Sequence, residues 1–102
     1  MVKNMKITKT QNGSTLTLAL EGRLDTNTAP LLEAELKQSV AGAAELILDL
    51  ADLAYMSSAG LRVLSGAQKV MNRQGRMVVR HVNETIMEVF EVTGFIDILT
   101  VE

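Results

Sequence analysis

The chain has 102 residues, 47% of them hydrophobic and 22% charged, with a net charge of −2. It contains no cysteine, which excludes disulfides, thiolate catalysis and cysteine-ligated zinc. Its basic residues are scattered, and aromatics make up only 3%, so direct nucleic-acid binding is not expected and the core must be aliphatic.

The N-terminal "MVKNMKIT" has no apolar h-region, so no secretory leader is expected. The apolar runs fall short of the ~20 residues that span a bilayer. A soluble cytoplasmic protein without a membrane span is the expectation, and at this size a monomer. Asn12-Gly13 is a turn signal between "MKITKT" and "STLTLALEG", where Leu16, Leu18 and Leu20 alternate with Thr15, Thr17 and Ala19. This predicts a β-hairpin over roughly 4–9 and 14–21.

The polar "RLDTNTAP" reads as a loop feeding a helix, with Thr28 as its cap and Pro30 in the first turn. Leu32, Leu36 and Val40 have helical spacing, and Gly42 ends that segment. "ELILDL" is a nearly continuous apolar run, the pattern of a strand covered on both faces. Asp49 inside it needs exposure or a partner, and Asp52 is assigned to the loop beyond. "SAGLRVLSGAQKVMNRQ" is a helix whose inner face carries Leu61, Leu64, Ala67, Gln68 and Met71, closed by Gly75. "RMVVRHV" is a strand. Asn83 caps a third helix with Ile86 and Val89–Phe90 turned inward and Gly94 as its stop. "FIDILTVE" is expected to be a final strand. The order β-β-α-β-α-β-α-β predicts a single α/β domain over residues 1–102, with a mixed, mostly parallel sheet and an N-terminal hairpin.

Ser57 and Ser58 fall at the junction of a strand and a helix. Serine is a preferred N-cap, its hydroxyl accepting a first-turn N–H. The same place suits an addressed hydroxyl, because α/β sheets gather functional groups beyond the carboxyl ends of their strands. A phosphate there would add about 1.5–2 negative charges beside free helical N–H groups. Met71, Met77 and Met87 read as core or edge residues. Met56 would offer an adaptable apolar contact if exposed. Arg62 reads as a solvated side chain or a rim contact. His81, the single histidine, lacks the setting of a Ser-His-Asp hydrolase, and neither Gly-x-Ser-x-Gly nor Gly-x-x-x-x-Gly-Lys occurs. Neither an enzyme activity nor a bound cofactor or metal is expected.

The stretch "LDLADLAYMSSAGLRVL" resembles the signature of bacterial anti-sigma factor antagonists, the STAS domain family. That signature is a hydrophobic strand, an aspartate–leucine–x–x–leucine/valine step, an aromatic–methionine pair and a short serine motif before Gly-Leu. "LEGRLDTNTAP" resembles the family's Gly-x-x-Asp turn, and "GRMVVRHVNETIMEVFEVTGFIDILTVE" its closing half, so the likeness covers nearly the whole chain. In the family's motif, Asp-Ser-Ser/Thr/Ala-Gly-Leu, the serine after the Asp is phosphorylated by a kinase that is also an anti-sigma factor. Carried over, Gly60 is the glycine, Ala59 the variable position and Ser58 the acceptor. Ser57 stands where the family has Asp, a departure that bears on kinase docking and makes Ser57 a second candidate acceptor.

The resemblance implies a partner switch. The unphosphorylated chain binds the anti-sigma factor kinase and frees a sigma factor, phosphorylation of Ser58 breaks that complex, and a metal-dependent serine phosphatase resets it. ATP and metal then belong to the partners. The contact surface it implies comprises Asp25, Thr26, Asn27, Met56, Ser57, Ser58, Ala59, Gly60 and Arg62. Two other readings compete with it. One is a constitutive accessory subunit, for example one docking a transporter ATPase. The other is a small nucleotide-binding or hydrolytic protein, for which no phosphate loop is present.

Overall fold

A computed structural model describes residues 5–102. Strand β1 (Met5–Asn12) and strand β2 (Thr15–Leu24) form the hairpin around Gly13, whose φ of 64° suits a tight turn. Both strands run longer than their patterns predict, and the expected start at Asn4 lies outside the described residues. Helix α1 (Ala29–Ser39) leads to β3 (Glu45–Met56), helix α2 (Ser58–Gln74) to β4 (Arg76–Arg80), and helix α3 (Glu84–Thr93) to a 3-10 turn at Phe95–Asp97. The sheet order is β1-β2-β3-β4. β1 is antiparallel to β2, while β2–β3 and β3–β4 are parallel. The expected class, one α/β domain on a mixed sheet with a leading hairpin, is what the chain forms.

One sheet face makes the core. Leu16, Leu18 and Leu20 of β2 and Leu46, Leu48 and Leu50 of β3 pack with Leu32 and Leu36 of α1, Leu61, Leu64 and Met71 of α2, and Ile86 and Phe90 of α3. Each fully buried Leu contributes roughly 1.5–3 kcal/mol relative to exposure, so an aliphatic core needs few rings. The other face bears Thr17, Ala19, Ile47 and Asp49, all half-buried. The expectation that "ELILDL" is covered on both faces is therefore corrected. Its leucines meet the helices, whereas Ile47 and Asp49 lie on the open face beside β4.

Local expectations change as well. Asp52 lies in β3, paired with Glu21 next to a register shift, instead of in a loop. The bulge lets the strand continue past the point where its alternation breaks. Thr28 stands at the N-cap of α1 but makes no side-chain cap. Its backbone is already in the helical region (φ −100°, ψ −20°), where the hydroxyl does not reach back to the first-turn N–H groups. Gly75 closes α2 as expected, but at an extended φ of 174°. A side chain is excluded there by close approach, since a Cβ would lie 1.8 Å from the Ala44 carbonyl oxygen.

The last expected strand is reduced to one parallel bridge, Val79 to Val101. Gly94 turns left-handed (φ 81°), and Phe95, Ile96 and Leu99 cover the core at helical spacing while Ile98 points out. The run's apolar period is thus nearer three to four than two. The tail is held by Glu102, which pairs with Arg76 (3.1 Å) and Arg80 (3.2 Å).

Candidate functional site

Strands β2 and β3 run parallel and end together, Leu24 beside Met56. The Ser57 N–H donates to the Leu24 carbonyl at 2.9 Å, which fixes the exit of β3 against the loop that opens α1. Ser57 is the extended N-cap of α2 (φ −97°, ψ 176°), and its carbonyl accepts the Leu61 N–H at 3.1 Å. Its side chain makes no cap bond, and its Oγ is buried without a hydrogen-bond partner. Ser58, the first helical residue, is exposed. The backbone of Ser57 therefore starts the helix while neither hydroxyl caps it, and only that of Ser58 faces solvent.

Asp25 lies in the adjoining loop with its side chain turned largely inward. Its Oδ1 accepts the N–H groups of Asn27 (3.0 Å) and Thr28 (3.1 Å), and Arg23 lies 3.6 Å from its Oδ2. The Thr28 hydroxyl donates to the Arg23 carbonyl and accepts the Asp25 N–H, both at 2.8 Å. Desolvation pushes the Asp25 carboxyl up. The Thr28 and Asn27 donors and the Arg23 charge outweigh it and hold the carboxyl below its ordinary value. Asp25 thus has the geometry of a turn aspartate, and the loop presents Thr26 and Asn27 to solvent.

Thr26, Ala59 and Arg62 line one shallow hollow between the start of α1 and the first turn of α2. The structure therefore brings together Thr26, Ala59 and Arg62 beside Ser58, with Asp25 and Asn27 in the same loop. It does not bring Met56 or Gly60 to the surface. Met56 is 3% exposed, so the expectation of an apolar contact there is corrected: along the irregular end of β3 the buried residues fall three apart, at Leu50, Leu53 and Met56, and Met56 enters the core beside Leu24. Gly60 is buried as well, and a Cβ on it would stand 2.7 Å from Leu24 Cγ and 3.0 Å from Met56 Cγ. Both residues seat the first turn of α2 on the sheet.

Sequence reasoning missed the partner of Tyr55. Arg23 lies over its ring, 4.2 Å from the centroid, and Tyr55 is 39% exposed. The signal was present in the parity of the two strands. If Leu24 and Met56 point inward, Arg23 and Tyr55 point outward together.

Asp49 finds the partner its position demands, His81 Nδ1 at 2.9 Å, with the Ala51 N–H at 3.0 Å. Partial burial pushes the Asp49 carboxyl up, and the bonds from His81 and Ala51 with the charges of His81 and Arg80 bring it below its ordinary value. His81 makes no hydrogen bond to a serine among the described residues. In the same residues no cluster of His, Asp and Glu suited to a metal is present, and no helix is long and apolar enough to cross a membrane.

The STAS domain model matches residues 6–102. The anti-sigma factor antagonist BtrV of Bordetella bronchiseptica is 39% identical over 99 residues, covering 95% of this chain and 85% of that protein. An anti-sigma factor antagonist from Mycobacterium paratuberculosis superposes with a TM-score of 0.87 at 19% identity, over 95% of this chain and 84% of that one. The Bacillus anti-sigma factor antagonist SpoIIAA superposes in its unphosphorylated form with a TM-score of 0.82 at 18% identity, over 95% of this chain and 88% of that one. Its phosphorylated form gives 0.74 at 20% identity, over 95% and 91%. At these identities the structural matches bear on the fold.

Proposed function

The chain belongs to the STAS domain family, and from that premise we propose that it is an anti-sigma factor antagonist switched by phosphorylation of Ser58. The antagonist role follows the relatives, and an anti-sigma factor is the partner. In this reading all 102 residues form the one domain, a cytoplasmic monomer. The partner is also the serine kinase, and a metal-dependent serine phosphatase removes the phosphate. The chain catalyses nothing itself. ATP and metal act within the partner enzymes.

The observation that carries the choice of serine is the contrast between neighbours. Ser58 is exposed at the start of α2, whereas the Ser57 hydroxyl is buried. A kinase needs an accessible nucleophile, and the phosphate it leaves needs solvent or donors. At Ser58 the phosphate meets both, because the first-turn N–H groups of a helix have no partners within it. On the contact face the new charge opposes rebinding of the partner. Moving a population from 1:99 to 99:1 takes about 5.5 kcal/mol of differential affinity, within reach of a doubly charged group desolvated at an interface. Thr26, Asn27, Ala59 and Arg62 supply the surrounding contact, with Asp25 shaping the loop from behind.

The test is phosphopeptide mass spectrometry on the chain from its native cells, wild type beside Ser58→Ala. Phosphate on Ser58 that disappears in the variant is the expected result. Phosphate on Ser57 would shift the acceptor by one residue. Neither serine modified in any growth phase would replace the switch with a constitutive docking subunit.

A further inference from the structure

Helix α2 carries a glycine that the fold does not require. Gly66 sits mid-helix, exposed, and a Cβ built on it meets nothing within 4 Å. Glycine in a helix interior is destabilising relative to alanine. At Gly60 and Gly75 neighbouring atoms demand the missing side chain. At Gly66 nothing in the described chain does.

The empty space over Gly66 belongs to a cleft of about 210 Å³ between α1 and α2. Leu36 and Val40 form one wall, and Val63, Ala67 and Val70 the other, with Gly66 beside them. This cleft shares Glu33, Arg62 and Val63 with the hollow beside Thr26 and Ala59. The two adjoin through these residues, and Ala59, at the far end of the hollow, directly follows Ser58 in the chain.

Resting on the reading of the chain as an anti-sigma factor antagonist, we propose that cleft and hollow together form a groove that seats an amphipathic helix of the anti-sigma factor, with Gly66 kept bare for its closest approach. Both walls are helices whose backbone groups are bonded internally, so no strand edge is offered and the occupant must satisfy its own backbone, as a helix does. The apolar walls take its apolar face. Arg62 and Lys37 at the rim have no ion-pair partner among the described residues, and with Glu33 they leave the rim net positive. An acidic residue on the helix, facing Arg62, complements that rim. Adjacency to the Ser58 end explains how one docked segment senses the phosphate.

The experiment pairs stability with affinity. Gly66→Ala, Gly66→Leu and Val70→Glu are compared with wild type and Ser58→Glu, by thermal unfolding and by titration of the purified anti-sigma factor from the same genome. Gly66→Ala is expected to raise the melting temperature by about 2–6 °C and to weaken binding about tenfold. Gly66→Leu, which fills the groove, and Val70→Glu, which puts a charge on its wall, are expected to weaken it about 100-fold or more while remaining folded. Wild-type affinity in Gly66→Leu and Val70→Glu, with binding still lost in Ser58→Glu, overturns the groove and leaves the switch standing. Loss in the groove variants without any effect of Ser58→Glu supports the groove and removes the switch. A concentration-dependent dimer that Gly66→Leu dissociates, with anti-sigma factor affinity unchanged, assigns the groove to a second copy and overturns the proposal. No binding by wild type overturns both readings.

Discussion

Two helix starts in this chain use their N-cap residues in opposite ways, and single substitutions separate them. Asn83 accepts the Ile86 N–H at 2.9 Å and also donates to the Leu53 carbonyl at 2.9 Å. Asn83→Ala is therefore expected to cost about 1–2 kcal/mol, the range of a lost cap. Ser57 makes no such bond and its buried hydroxyl has no partner, so Ser57→Ala removes an unsatisfied polar group and should raise stability by about 1 kcal/mol. Urea unfolding of the two variants side by side checks this, and an equal cost would show that the Ser57 hydroxyl turns to cap α2 in solution. Gly60→Ala is the severe case. Its methyl would overlap Leu24 and approach Met56, and overpacking of this kind costs about 1–3 kcal/mol. The same change should disturb the Ser58 surface, because the first turn of α2 must lift from the sheet.

At the scale of elements, the open sheet face carries a pH-dependent tie between β3 and the end of β4. The Asp49 carboxyl is held below its ordinary value of 3.8. A carboxyl depressed in the folded state contributes stability that is fully present above the unfolded value and is lost as pH falls through the folded one. Wild type should therefore lose stability on acidification below about pH 4, with Asp25 contributing in the same direction. His81→Ala removes the bond to Asp49 and should raise the carboxyl's titration midpoint, read by carbon-detected NMR of the Asp49 side chain. An unmoved midpoint would mean that the His81–Asp49 bond is not made in solution.

The same elements show what was legible in advance. Period-two leucines in β2, the inner face of α2 and the Asn83 and Gly94 boundaries of α3 were readable because each is set by local pattern. The bulged end of β3, with Asp52 inside the ladder, was not, since register is decided by the neighbouring strand. The tail after Gly94 forms only the single bridge from Val101 to Val79 where a full strand is expected, for a similar reason. Its apolar residues answer to the core they cover, and Phe95, Ile96 and Leu99 satisfy it better as a turn than as an extended edge. Of the site, the place of Ser58 at the junction of β3 and α2 was legible from the strand and helix patterns on either side. The burial of Met56 and the Arg23–Tyr55 stack depended on the irregular register at the very end of the sheet.

At the scale of the whole molecule, the proposed phosphorylation of Ser58 is expected to act without rearranging the fold. Beneath Ser58 lie Met56, Gly60 and Leu24, all buried and in contact, and close-packed interiors do not deform continuously. Ser58 itself points to solvent, so a phosphate added there displaces no core atom. It also gains the free N–H groups and the positive end of the α2 dipole, a favourable placement worth about 0.3–1 kcal/mol. Phosphorylated chain should therefore melt at the same temperature as the unmodified chain or a few degrees higher. Its amide shifts should change around residues 25–28 and 55–62 and hold still in β1, β4 and α3. The anti-sigma factor would then be rejected by a changed surface on an unchanged scaffold, and the affinity loss should shrink at high salt, as exposed charge effects do. Shift changes spread across the sheet, or a lowered melting temperature, would mean instead that phosphorylation works by loosening α2 from its seat.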